Sequence, residues 1–155
     1  MPPYLRAFAI GVATGLRAMT PLAAVSFAAH DGQLRVEKTP LAFLNHPATP
    51  YVAAALAAGE LIADKLPTTP SRKAPPSFAA RIALGALCGA ALTGSKESMI
   101  ANAFAGAGGA IVGTLAGYEF RARLVRATGG TDLPIALIED GIAVGSASGV
   151  ALLGA

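Results

Sequence analysis

The sequence predicts an all-α fold, a polytopic helical membrane protein of about five transmembrane helices in one domain spanning residues 1–155. Three observations carry this. Of the 155 residues, 54% are hydrophobic and 14% charged, with a mean hydropathy of +0.56, whereas a soluble domain carries about 25% charged residues. The apolar residues fall in runs near the length that crosses a bilayer, about 20 residues per helix. Glycines recur at four-residue spacing within those runs: Gly11 and Gly15, Gly85 and Gly89, Gly109, Gly113 and Gly117, and Gly141, Gly145 and Gly149. That spacing puts them on one helix face, where neighbouring backbones approach closely.

The first span is expected over Tyr4–Ala29. Arg6 followed by an apolar run resembles a leader peptide, but Arg17 interrupts the run and further spans follow, so the segment is read as a span. Pro21 leaves the carbonyl four residues back without a donor, so a kink or break is expected near Arg17 and Thr20-Pro21. A polar external loop, Ala29–Thr49, follows. It holds His30 and His46, too weak a pair to define a metal site. The second span covers Pro50–Leu66 and the third Phe78–Leu92; both are short. Pro67, Pro70, Pro75 and Pro76 stiffen the path between them. The fourth span covers Ile100–Phe120 and the fifth Pro134–Leu153. Cys88 alone forms neither an intramolecular disulfide nor a cysteine metal site, and its small-residue surroundings suit a buried packing role.

With the N-terminus inside, Arg6, Lys65, Arg72, Lys73, Arg81, Arg121, Arg123 and Arg126 are cytoplasmic, against Arg35, Lys38 and Lys96 outside. The excess satisfies the positive-inside rule for an N-in, C-out protein of a bacterial cytoplasmic membrane. No basic stripe lies on a polar scaffold, which excludes a nucleic-acid partner.

Charged residues inside the apolar runs are the candidate site. An ionised group at bilayer depth costs about 2.5–3.5 kcal/mol on insertion scales and usually faces a protein interior or a wet cavity. Arg17 stands next to the expected break, where Thr20 and freed backbone groups could bind an ion. Glu60 and Asp64 share a helix face, the arrangement of a proton relay or a cation site. Glu139 and Asp140 open the last span, where acidic groups also suit a helix N-terminus; Ser146 and Ser148 follow. An ion pair from Arg17 to Glu60, Glu139 or Asp140 is expected. Lys65, Arg72, Lys73 and Arg81 are candidates for an anion or lipid headgroup. A weak echo aligns Val52–Ala63 with Ile111–Ala122 and matches Glu60 to Glu119. Phosphate-loop, zinc-protease, dithiol and serine-hydrolase motifs are absent, and no cofactor is implied.

Gly15-Leu16-Arg17-Ala18-Met19-Thr20-Pro21-Leu22 and the stretch Glu60 to Arg72, with Asp64-Lys65-Leu66-Pro67 and Pro70-Ser71-Arg72, resemble the signature segments of a family of small bacterial integral membrane proteins catalogued as a domain of unknown function. Glu139-Asp140 before a small-residue helix resembles its C-terminal segment. The resemblance implies a polytopic helical membrane protein and no activity.

Three functions are consistent with these residues. The first is a transporter or channel for an ion or small solute, built on Arg17, Thr20, Glu60, Asp64, Glu139 and Asp140. The second is an enzyme or flippase handling a lipid phosphate. The third is a non-catalytic assembly subunit. A homodimer through Gly141, Gly145 and Gly149 would help a thin bundle to enclose a polar site.

Overall fold

The computed structural model describes residues 1–64, 74–93, 96–130 and 133–152, with the backbone alone for Lys96 and Leu152. These residues form six α-helices and no strand: α1 (Pro3–Leu16), α2 (Met19–His30), α3 (Thr49–Ala63), α4 (Pro75–Ala91), α5 (Lys96–Ala127) and α6 (Leu133–Leu152). A single 3-10 turn, Ala42–Asn45, sits in the loop before α3. Proline marks the first turn of α1, α3 and α4, at Pro3, Pro50 and Pro75-Pro76. Its fixed φ favours a helix start, and the missing N–H is one that no helix start satisfies internally. Pro21 also lies in a first turn, that of α2, so it begins a helix rather than bending one.

The expected first span is therefore two helices. Its break lies at Arg17-Ala18, where Arg17 is extended (φ −139°, ψ 114°). The second half does not continue the first. Val25, Ala28 and Ala29 of α2 join the same buried cluster as Ile10 and Ala13 of α1 and Ala147 and Val150 of α6. Near the start of α1, Arg6 donates to the Val150 carbonyl near the end of α6, at 3.3 Å. At the other end of α1, Arg17 pairs with Asp140. So α6 runs antiparallel to α1, and α2 turns back alongside both. Gly32, with φ +74°, lets the chain leave α2 in the left-handed conformation, and Gln33 N–H closes onto the Ala28 carbonyl at 2.9 Å.

Two helices are long and apolar enough to cross a membrane, within Glu97–Ala127 and Leu133–Ala151. The former is much longer than the expected Ile100–Phe120 and carries Arg121, Arg123 and Arg126 within it. At about 1.5 Å per residue, α1, α2 and α3 are nearer 20 Å than the 30 Å of a bilayer core.

The glycine seams hold α1, α4 and α5 together. A Cβ on Gly15 would lie 2.5 Å from the Ala110 carbonyl oxygen, and one on Gly89 would lie 2.5 Å from that of Asn102. Cβ atoms on Gly11, Gly106, Gly109 and Gly113 would overlap facing backbone still more severely. These contacts run Phe8 to Gly109 and Val12 to Gly113, so α1 and α5 are parallel. Gly141, Gly145 and Gly149 behave differently, because a Cβ on any of them meets open space.

Overpacking typically costs about 1–3 kcal/mol, and backbone meeting backbone leaves no side chain to move aside. Gly106→Val and Gly109→Val should each destabilise by more than that range, whereas Gly145→Ala should stay within about 1 kcal/mol, the scale of helix propensity. Thermal unfolding in mild detergent distinguishes them, and wild-type stability in Gly106→Val would refute the seam.

Candidate functional site

Breaking one helix into two leaves carbonyls without donors at the end of α1 and N–H groups without acceptors at the start of α2. α2 has no side-chain cap of its own. The acceptor comes from α3 instead: Glu60 Oε1 accepts from Ala18 N–H and Oε2 from Met19 N–H, both at 2.8 Å. The donor comes from α4. Arg81 Nη1 donates to the Gly15 carbonyl at 3.0 Å and to that of Leu16 at 3.1 Å. Thr114 Oγ1 of α5 also donates to Gly15, at 3.3 Å. Acid thus sits at the positive end of one helix dipole and base at the negative end of the other. The two caps touch through Arg81 Nη2 and Glu60 Oε1 at 3.3 Å.

Arg17, the extended residue between the helices, is fully buried. It reaches Asp64 at the end of α3 through Nη1 and Asp140 of α6 through Nη2. Its Nε has no hydrogen-bond acceptor. One residue beside Asp140, Glu139 turns to α5 and lies 3.7 Å from Arg121 Nη1. Seven charged side chains from five sequence regions therefore surround one chain break.

The expected residues converge, with differences. Arg17, Glu60, Asp64 and Asp140 form one cluster. The expected ion pair of Arg17 is made with Asp140 and Asp64; Glu60 instead pairs with Arg81. Glu60 and Asp64 each face their own arginine rather than forming a carboxylate pair. Glu139 and Asp140 lie two turns into α6, beyond the reach of terminal capping. Thr20 is buried, and its hydroxyl has no hydrogen-bond partner among the described residues. Ser146 bonds back to Ala143 of its own helix at 3.2 Å. Arg81, expected as an anion or headgroup contact, is 4% exposed and turned onto α1, with one edge on the cleft between α3 and α4. Lys65, Arg72 and Lys73 lie outside the described residues. Glu119, which the internal echo aligns with Glu60, is exposed and 4.0 Å from Arg123 on its own helix. Among the described residues no group of His, Cys, Asp and Glu is placed to hold a metal ion.

Sequence reasoning missed Arg81 as a cap and Arg121 as the partner of Glu139. Arg81 carries the same signal as Arg17, a lone base in the apolar run Phe78–Leu84. Arg121 carries none, since nothing local separates it from Arg123 and Arg126.

A cleft of about 440 Å³ opens beside the cluster, between α3 and α4. Ala18, Met19, Leu56, Gly59 and Leu84 wall it, and Glu60, Asp64 and Arg81 bring charge to it. Its volume lies within the usual range of small-molecule sites, about 300–1,000 Å³.

Breaking a buried ion pair from one side costs about 3–5 kcal/mol, because the partner's charge is stranded. Arg17→Met should therefore destabilise strongly, and more than the double variant Glu139→Gln/Arg121→Met, which removes both charges of a neighbouring pair. Denaturant unfolding would measure this, and the opposite order would mean that Arg17 is not the centre of the cluster.

The family described as a domain of unknown function (DUF4126) matches residues 5–153, so the chain belongs to it. No curated protein and no solved structure matches the chain.

Proposed function

We propose that this member of the DUF4126 family is a small integral membrane transporter or channel for an ion or small solute, working through the Arg17–carboxylate cluster. The observation that carries the reading is a fully buried arginine, paired to two other helices at a chain break, next to a cleft that displays charge. Intramembrane ionisable residues with named partners commonly mark substrate or ion paths, and broken helices supply backbone groups for such sites.

Membrane embedding is part of this proposal. Besides the two long apolar helices, large apolar side chains stand outward: Phe104 is 75% exposed, Ile100 69% and Ile62 68%. Such a surface suits lipid. The resemblance in the signature segments favours a bacterial cytoplasmic membrane. The helix packing favours an orientation other than N-in, C-out: Arg6 and Val150 lie together, which supports an even number of crossings with the start of α1 and the end of α6 on the same side. Because α5 is parallel to α1, Arg121, Arg123 and Arg126 lie at the opposite end from Arg6. The positive-inside rule then favours a cytoplasmic position for the end with the break and an external one for the start of α1 and the end of α6.

A homodimer through α6 is supported by Gly141, Gly145 and Gly149, where an added Cβ meets none of the described residues, while Gly11, Gly15, Gly85, Gly89, Gly109 and Gly113 pack against facing backbone.

Ion and solute flux in proteoliposomes tests the main reading. Glu60→Gln and Asp64→Asn, in protein that stays monodisperse, should each cut flux by about tenfold or more, the effect of about 1.4 kcal/mol. Unchanged flux in both would point to the assembly role. Single cysteines in membranes test the topology, against a low background because Cys88 is buried. Arg126→Cys should label only from the cytoplasmic side, and Gly145→Cys should cross-link two copies. External labelling of the first would reverse the orientation, and absence of the cross-link would remove the dimer.

A further inference from the structure

The floor of the cleft narrows the cargo of the proposed transporter, and this inference rests on that reading of the site. Both signs of charge are displayed together: the Arg81 guanidinium on α4 and the Glu60 and Asp64 carboxylates on α3. The contact between Arg81 and Glu60, at 3.3 Å, closes the floor. Each of these two groups also has anchors that do not depend on the other. Glu60 keeps the N–H groups of Ala18 and Met19. Arg81 keeps the carbonyls of Gly15 and Leu16. Their mutual contact can therefore be given up while both side chains stay in place and hydrogen-bonded.

The helices on either side allow an insertion. α3 packs mainly on α2, and α4 on α5 and α1, while α3 and α4 barely touch one another. The cleft is the gap left between them. Apart from Ser77 its remaining walls, among them Met19, Leu56 and Leu84, are apolar.

We propose that the cleft binds a zwitterion with an apolar portion. Its ammonium group faces Glu60 and Asp64, its carboxylate or phosphate faces Arg81, and its apolar part lies along Leu56 and Leu84. A ligand of one charge sign takes the place of only one member of the Arg81–Glu60 pair, and separating a partly buried pair is expensive. A zwitterion offers a counter-charge to both members at once. Two sources share this chemistry, a free apolar amino acid and an aminophospholipid headgroup.

Gly59 provides the test. It lines the cleft, and a Cβ built on it meets nothing within 4 Å. Gly59→Phe therefore fills the cleft without entering the packed interior, and Ala55→Phe fills the same space from the same helix should the first variant fail to fold. Thermal unfolding of purified protein in mild detergent is measured with L-leucine, with N-acetyl-leucine, which keeps only the anion, and with leucine methyl ester, which keeps only the cation. In parallel, nanodiscs of phosphatidylethanolamine are compared with nanodiscs of phosphatidylglycerol. The inference expects stabilisation by leucine or by phosphatidylethanolamine, none by the single-sign compounds, and loss of the effect in the Phe variant. Leucine identifies a free solute and phosphatidylethanolamine a headgroup. Equal stabilisation by either single-sign compound overturns the zwitterion, and a response that survives in the Phe variant overturns the cleft. No response to any zwitterion also overturns it, while flux of an inorganic ion in proteoliposomes would still leave the transport reading standing.

Discussion

The organisation of this protein depends on how a severed helix satisfies its two new ends. Between Leu16 and Met19 the chain leaves helical geometry for the extended residue Arg17. In a low-dielectric interior, unsatisfied backbone groups cost several kcal/mol each. The protein meets that demand with charged groups from other helices, Glu60 for the N–H groups and Arg81 for the carbonyls. The position of α3 and α4 relative to the break follows, because each carries one cap. Arg17 then ties the end of α3 to α6. A break, two caps and a three-helix ion bridge are one arrangement rather than separate features.

Around that polar centre the helices are held in two different ways. On one side α1, α4 and α5 meet through glycines so closely that no Cβ is tolerated. Packing of this kind relies on shape, because backbone meets backbone with no side chain between. On the other side α3 leans on α2 and on polar contacts at its end. The gap between the tightly packed and the loosely packed side is the cleft. This division makes α3 the element whose position a ligand in the cleft would most affect.

The same division explains which glycine stripes matter for folding. Stripes on α1, α4 and α5 are used within the chain, while that on α6 faces outward. A stripe in the sequence states that close approach is possible; it does not say whether the approaching helix belongs to the same chain.

The sequence by itself determined the helical class, the apolar surface, the break beside Arg17, and the set of charges that had to find partners, since Arg17, Glu60, Asp64 and Asp140 each lie in or at the end of apolar runs. Pro75 and Pro76, expected in the stiff path before a span starting at Phe78, instead begin α4, because a fixed φ suits a helix start as well as an extended path. Only the tertiary structure decided that α2 turns back rather than continuing, that the start of α1 lies beside the end of α6, and that Arg81 faces inward while Glu119 faces out. Those outcomes depend on which helix lies opposite a given face. Partner choice among three arginines and four carboxylates is set by distances between segments far apart in the chain, and no local pattern in the sequence contains it.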